Sequence, residues 1–312
     1  MPKPVIIDCD PGTDDAIALW LAMAALELDV RLVTVAGGNV GLDRTTANAR
    51  AVLGLTGQPE GQAVPIVAGS PRALLADFRE EPAVHGADGL GGVLLPPGPP
   101  LAPGIAADAI RDVLRAAAPG SVTVIGLGPV TNLALAFATE PALADRVAEI
   151  VLMSGAFSEG NITPAAEFNA WNDPEALAVL LKLGRPLAIA TLDLTGQALV
   201  TPAVVEELAA RRGGACLAAA VAILRAMPAS KRFGHRGFPL HDPCAIAWAI
   251  APGLFGARPA YAEMDLAPGP SRGRTVFDRW ERLGRPANVT LMETLDAPAF
   301  FALLGDRLAA LP

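Results

Sequence analysis

The sequence predicts an α/β fold in which helices cover both faces of an open, mostly parallel sheet. Over the first two hundred residues, short apolar runs alternate with helix-like segments, a pattern typical of right-handed βαβ units. The chain has 312 residues, of which 52% are hydrophobic, so it can bury a large core. It shows no internal repeat and no clear linker, and we therefore expect a single domain over residues 1–312.

The predicted elements of the first two thirds follow from apolar periodicity and from Gly and Pro at the turns. A short β-branched or apolar run between turn residues indicates a strand, and a longer periodic segment indicates a helix. Strands are expected at residues 5–7, 30–36, 65–68, 121–127, 149–153 and 186–192. Helices are expected at residues 16–26, 43–55, 105–117, 130–138 and 174–183.

The last third of the chain is less regular. Helices are expected at residues 204–212, 216–227, 242–250 and 297–308, and short strands at 261–264, 275–278 and 288–292. The Gly- and Pro-rich segment 71–104 is expected to be a long irregular loop, of the kind that often carries function. Together these elements predict a mixed, Rossmann-like sheet.

Charge and composition exclude several classes of partner. A formal charge of −8 and a pI near 5.0 argue against nucleic acid or an anionic membrane, which need clustered Lys and Arg. The apolar run 16–26 is shorter than the roughly 20 residues that a bilayer requires. Three cysteines without metal-site spacing, and a first strand that begins just after the initial Met, lead us to expect a cytoplasmic protein.

Four aspartates lie within eight positions directly after the first predicted strand: Asp8, Asp10, Asp14 and Asp15. Acids in the first turn of a helix are common, because they complement the helix dipole, but this does not explain Asp8 and Asp10. Carboxylates packed so closely repel one another unless a cation or a proton intervenes. Their oxygens suit calcium or magnesium, so the sequence predicts a site for a hard divalent cation.

Familiar motifs do not account for this cluster. An EF-hand loop that started at Asp8 would need Gly at its sixth position, where the chain has Thr13. The aspartate motif of the haloacid-dehalogenase-type phosphatases fails as well, because Thr13 comes one position late. The pair Gly126 and Gly128 lacks the third spaced glycine of a dinucleotide-binding turn.

Two further polar clusters lie at the ends of predicted elements. One follows the predicted strand at 149–153, and the other lies at the start of the predicted helix at 242–250. Asn161, Glu167 and Asn169 offer groups that can pair with several hydroxyls, although a polar turn is the simpler interpretation. His241 comes directly before Asp242, which alone would be explained as a helix N-cap. A histidine there could give a proton to a leaving group.

In their order along the chain, these motifs resemble those of the inosine-uridine-preferring nucleoside hydrolases. The resemblance spans nearly the whole chain, and the aspartate motif is its most specific part. It rests on Asp8-x-Asp10-Pro-Gly-x-Asp14-Asp15-Ala, Gly38-Asn39, Gly128-Pro129-x-Thr131-Asn132, Asn161-x-Thr163-Pro164-x-Ala-Glu167-Phe-Asn169 and His241-Asp242-Pro243.

The resemblance implies a calcium-dependent enzyme that hydrolyses the N-glycosidic bond of ribonucleosides such as uridine, cytidine and inosine. It implies Ca²⁺ ligands at Asp10, Asp15, Asp242 and the Leu127 carbonyl, with Asp10 also the general base and His241 activating the leaving base. Ribose and base contacts are implied at Asp14, Asn39, His85, Met153, Asn161, Glu167 and Asn169. Relatives of this kind are commonly homodimers or homotetramers.

The chain departs from the family in the segment that covers the base. Residues 216–237 contain no tyrosine, so Trp171 becomes a candidate for an aromatic wall. Two alternatives remain open at this stage: a calcium-dependent nucleoside binder without turnover, and a metal-dependent phosphatase or phosphoribosyl enzyme. The phosphatase or phosphoribosyl enzyme is the weaker alternative, because the acidic cluster lacks the nearby basic residues that phosphate recognition usually needs.

Overall fold

A computed structural model of the chain describes residues 1–58 and 63–312. The sheets are built from eleven strands within these residues. In chain order the strands are β1 (Lys3–Cys9), β2 (Leu28–Val35), β3 (Ile66–Ala68), β4 (Val122–Gly126), β5 (Val147–Met153), β6 (Leu187–Ala190), β7 (Leu199–Val200), β8 (Phe238–Pro239), β9 (Phe255–Met264), β10 (Thr275–Asp278) and β11 (Val289–Leu295).

Twelve α-helices connect and cover these strands in the described part of the chain, together with three short 3₁₀ turns. The helices are α1 (Thr13–Ala24), α2 (Leu42–Gly54), α3 (Pro82–His85), α4 (Ala106–Ala116), α5 (Thr131–Thr139), α6 (Phe168–Asn172), α7 (Pro174–Leu180), α8 (Leu192–Thr195), α9 (Pro202–Ala209), α10 (Ala215–Ala226), α11 (Asp242–Ile250) and α12 (Ala297–Ala309).

Nine strands form one sheet in the order β10-β9-β11-β6-β5-β4-β1-β2-β3. In this order, the seven neighbouring strands β11, β6, β5, β4, β1, β2 and β3 pair in parallel. At the other edge, β9 pairs antiparallel with β11, and β10 pairs antiparallel with β9. The predicted α/β class and mixed, mostly parallel sheet are thus confirmed. The short strands β7 and β8 pair antiparallel in a separate two-stranded sheet.

The central strands are apolar on both faces because helices cover both. Every residue of β4 and of β6 is buried, as expected for parallel strands inside an α/β sheet. Two core clusters result, one of which contains Trp20 of α1 and the other Phe137 of α5. In the described residues, no helix combines the length and the apolar character that a membrane span requires.

Several predicted boundaries differ from the observed ones. The first helix ends at Ala24, and Leu26 is 83% exposed, because an apolar residue does not by itself extend a helix beyond its buried face. β9 begins at Phe255, six residues before the predicted start, since pairing with β11 carries it through Gly256 and Pro259. The long loop at 71–104 contains the short helix α3.

Candidate active site

A cavity of about 600 Å³ opens at the carboxyl ends of the parallel strands, where α/β sheets usually bind ligands. The chain just after β1, β2, β4 and β5 contributes to its lining. The other contributions come from the segments around residues 81–85, 159–162, 167–169 and 227–242 and from Leu192. Ten of the predicted site residues line it: Asp14, Asn39, His85, Leu127, Met153, Asn161, Glu167, Asn169, His241 and Asp242. The predicted ligands Asp10 and Asp15 are buried and do not line it.

Three carboxylates converge on one point next to this cavity. One oxygen each of Asp14, Asp15 and Asp242 lies within 4.8 Å of the other two. The first two residues stand in the first turn of α1 and the third begins α11. Because α1 and α11 pack against each other, helix packing brings together acids that are far apart in the sequence.

The buried carboxylates lack a basic partner. Within residues 1–58 and 63–312, no Lys or Arg forms an ion pair with Asp10, Asp14, Asp15 or Asp242; Nδ1 of His85 lies 4.0 Å from an oxygen of Asp14. Burial, followed by the charges of neighbouring aspartates, raises the pKa of Asp15 to about 6. The same causes raise the pKa of Asp10 and of Asp242 well above the ordinary value.

This all-oxygen set fits a hard divalent cation. Like charges that are buried side by side destabilise one another, and a cation would relieve that repulsion. Calcium accepts several carboxylate and carbonyl oxygens in a flexible arrangement. The structure groups Asp15 and Asp242 with Asp14; the metal-ligand roles of Asp10, Asp15, Leu127 and Asp242 all stay predictions.

Asp10 is held rigidly between two glycines. Its Oδ2 accepts a hydrogen bond of 2.8 Å from the backbone N–H of Asn39. A Cβ atom on Gly38 would overlap Oδ2, and one on Gly128 would overlap Oδ1. The two motif glycines therefore leave room for the carboxylate of Asp10.

Asn39 supports the carboxylates rather than only facing the cavity. Its Nδ2 donates to the carbonyl of Asp10 at 3.1 Å and to Oδ2 of Asp15 at 3.0 Å. Asp15 also accepts from the backbone N–H groups of Asp10 and Gly12. The amide oxygen of Asn39 remains for a ligand, because both amide hydrogens already have partners.

The predicted sugar-binding side chains also hold the loops that carry them. Glu167 caps α6, where its carboxylate accepts from the backbone N–H groups of Asn169, Ala170 and Gly155. Nδ2 of Asn169 donates to the carbonyls of Leu127 at 2.7 Å and Met153 at 3.1 Å. Since a carbonyl has two lone pairs, the Leu127 oxygen can accept this bond and still bind a cation.

Asn161 is fixed in the same way. Its Oδ1 accepts a hydrogen bond of 2.9 Å from the backbone N–H of Phe168. Both residues line the cavity, so the loop that carries the polar side chain also presents an aromatic ring.

Two histidines line the same cavity. Nδ1 of His85 accepts from the backbone N–H of Thr13 at 3.2 Å, which leaves the proton of the neutral ring on Nε2. Nδ1 of His241 lies 2.6 Å from Oγ1 of Thr195. Burial lowers the pKa of each imidazole; Asp14 opposes this effect at both, and Arg232 reinforces it at His241.

Some features of the site were not anticipated from the sequence. Thr195 lies in a four-residue helix that carries no apolar periodicity, and no motif marked Arg232 or Phe233, which line the cavity. Trp171 does not belong to the lining; it packs against Gly273 instead.

Asp8 lies outside the carboxylate group. It accepts hydrogen bonds from Oγ1 of Thr34 at 2.6 Å and from Nδ2 of Asn132 at 2.8 Å. Burial raises its pKa to about 7, although these two bonds oppose the shift. Asp8 therefore joins β1 to β2 and α5 instead of facing the cavity.

Comparison with known proteins agrees with this geometry. The family model described as "Inosine-uridine preferring nucleoside hydrolase" matches residues 5–302. A pyrimidine-specific ribonucleoside hydrolase RihA of Klebsiella pneumoniae is 39% identical over 315 residues, covering 99% of each chain.

Solved structures show the same fold. A plant nucleoside hydrolase, PpNRh1, superposes with a TM-score of 0.90 at 30% identity, covering 99% of this chain and 100% of the other. A purine-preferring ribonucleoside hydrolase from Gardnerella vaginalis gives a TM-score of 0.88 at 29% identity, covering 98% of each chain.

Proposed function

The chain belongs to the inosine-uridine preferring nucleoside hydrolase family, whose members hydrolyse ribonucleosides to ribose and a free base, and we propose that it is a calcium-dependent ribonucleoside hydrolase acting on uridine, cytidine and inosine. The carboxylate group of Asp14, Asp15 and Asp242 beside the cavity is the observation that carries this proposal. Because the family's members are enzymes that hydrolyse ribonucleosides rather than phosphate esters, a binder without turnover and a phosphatase are set aside.

The proposed metal ligands are Asp10, Asp15, Asp242 and the Leu127 carbonyl. When bound, the ion supplies positive charge that acidifies a water molecule and attracts the ribose hydroxyls. Its proposed identity is calcium, because flexible coordination by many oxygens suits calcium better than magnesium.

The protein groups around the ribose have separate tasks in the proposed mechanism. Asp10, clamped between Gly38 and Gly128, accepts the proton of the attacking water as general base. Carboxylates nearby stabilise the positive charge that the ribose gains as the bond to the base lengthens. The ribose is bound by Asp14, Asn39, Met153, Asn161, Glu167 and Asn169, all of which line the cavity.

His241 and His85 are proposed to contact the base, and His241 to give it a proton. The lowered pKa of His241 makes its protonated form a stronger acid, although a smaller fraction is protonated at neutral pH. The proposal also includes a homodimer or homotetramer that works in cytoplasmic nucleoside salvage.

Release of free base from matched nucleosides tests the proposal. We expect uridine, cytidine or inosine to be hydrolysed, and 2′-deoxyuridine to react about 10³-fold more slowly than uridine, because the loss of one hydroxyl leaves buried polar groups unpaired. Asp10→Asn should lower kcat on uridine by about 10²-fold or more, as removal of a general base does. Equal rates on uridine and 2′-deoxyuridine, or full activity of Asp10→Asn, would contradict the proposal.

A further inference from the structure

The lining of the cavity has an uneven charge distribution. It includes the acids Asp14, Glu81, Glu159, Glu167 and Asp242, whereas Arg232 is the one Lys or Arg among the described lining residues. If the ribose binds beside Asp14 and Asp242, as proposed above, the rest of the lining remains for the base. Arg232 is therefore the positively charged side chain that we expect to interact with the base.

Arg232 connects two segments of the cavity lining. Its Nη1 donates to the backbone carbonyls of Glu159 at 3.2 Å and of Gly160 at 3.4 Å, so the guanidinium joins the 227–239 segment to the loop after β5. Both hydrogen bonds described for it are to main-chain oxygens. A guanidinium carries five N–H donors in a rigid plane, so donors remain for a ligand. No carboxylate in the described part of the chain forms an ion pair with Arg232.

Cleavage of a nucleoside places negative charge on the base. When the bond between C1′ and N1 of a pyrimidine breaks, both electrons move to the base and are shared between N1 and the O2 carbonyl. A tyrosine near the base could stabilise this charge by a hydrogen bond. The one tyrosine of the chain, Tyr261, lies on β9, however, and its hydroxyl donates to Glu263. It does not line the cavity.

We propose that Arg232 binds the O2 carbonyl oxygen of a pyrimidine base, next to the glycosidic nitrogen N1, and stabilises the departing base as an anion. The inference rests on the proposed function, and it gives Arg232 the role of recognising the base in the same site. The water oxygen forms a bond to C1′ and its proton passes to Asp10, while the C1′–N1 electron pair leaves with the base. The base then takes up a proton, from His241 or from water, and is released neutral.

The test compares Arg232→Gln with Arg236→Gln on three ribosides whose leaving groups differ in basicity. The substrates are uridine, 5-fluorouridine and 4-nitrophenyl β-D-ribofuranoside, in order of decreasing need for stabilisation of the leaving group. Arg236 is the matched control, because it lies in the same exposed segment, bonds to the carbonyl of Phe233 and does not line the cavity.

We expect Arg232→Gln to lower kcat on uridine by about 10- to 100-fold. Loss of a preorganised donor typically costs 10²–10³-fold, and we expect less here because Arg232 is exposed in the free protein and solvent screens its charge. The loss should shrink on 5-fluorouridine and nearly vanish on the nitrophenyl riboside. Arg236→Gln should match the wild type on all three.

Two results would overturn the inference. One is an Arg232→Gln variant as active on uridine as the wild type. The other is an equal loss on all three substrates, which would assign Arg232 only to anchoring the 227–239 segment. Absence of base release by the wild-type protein is a separate result, because it contradicts the proposed function itself.

Discussion

The hydrogen bond between Thr195 and His241 gives the imidazole one orientation. Thr195 is fully buried, and its Oγ1 lies 2.6 Å from Nδ1 of His241. With Nδ1 engaged, the other ring nitrogen remains for a ligand. A side chain that fixes the ring in this way is a positioning residue for the proposed acid.

Substitution of Thr195 tests this role. Thr195→Val keeps the shape but removes the hydroxyl, and we expect kcat on uridine to fall about 10-fold, part of the 10²–10⁴-fold that a general acid contributes. KM should change little, and Thr195→Ser should restore most of the rate. The role is contradicted if Thr195→Ser is as slow as Thr195→Val, or if Thr195→Val is fully active.

The sequence was informative about residues that carry charge and much less about their partners. The spacing of Asp8, Asp10, Asp14 and Asp15 predicted a common acidic site at the end of the first strand, and the family resemblance added Asp242 to it. The contact of Thr195 with His241 depends on how α8 packs near the start of α11, which local sequence does not encode. The same holds for Arg232, whose place in the cavity depends on the path of an irregular segment.

At the scale of elements, the turns after β2 and β4 decide where Asp10 can lie. Gly38 follows β2, and Gly128 follows β4. Both approach the Asp10 carboxylate so closely that a side chain cannot fit. Glycine is needed there because of space, since neither position has a positive φ.

Gly128→Ala should therefore disrupt the site. The added methyl group must displace Asp10, and a shift of about 1 Å in a catalytic group can lower the rate about 10²-fold. We expect a loss of kcat of that size together with a lower melting temperature, since overpacking costs about 1–3 kcal/mol. Gly253→Ala is the control, because no atom lies within 4 Å of its added Cβ. Full activity of Gly128→Ala would show that Asp10 is free to move.

Most elements were predicted correctly in type and approximate position, because buried parallel strands and their helices have strong patterns. The exceptions have physical causes. The first half of β9, which includes Gly256 and Pro259, lacks strand propensity and is held by pairing with β11. The five-residue α6 is fixed by the Glu167 cap rather than by any apolar period.

At the scale of the whole molecule, the buried acids link stability to pH and to metal. Asp15 has a pKa of about 6 in the folded protein, against an ordinary value of 3.8, and the pKa values of Asp10 and Asp242 are also raised. Above pH 4 the unfolded chain releases these protons while the metal-free folded chain keeps them. The contribution of these acids to metal-free stability therefore falls as pH rises from about 4 through their folded-state pKa values.

Thermal unfolding of chelator-treated protein, with and without calcium from pH 4 to pH 8, tests the central claim that these carboxylates bind one hard divalent ion. We predict a midpoint that falls with rising pH in the metal-free protein, and a gain of about 5 °C near neutral pH when calcium is about a hundredfold above its Kd. The gain should shrink at low pH, where protons compete, and disappear in Asp242→Asn but not in the exposed control Asp77→Asn. A midpoint that calcium leaves unchanged at every pH would contradict the account.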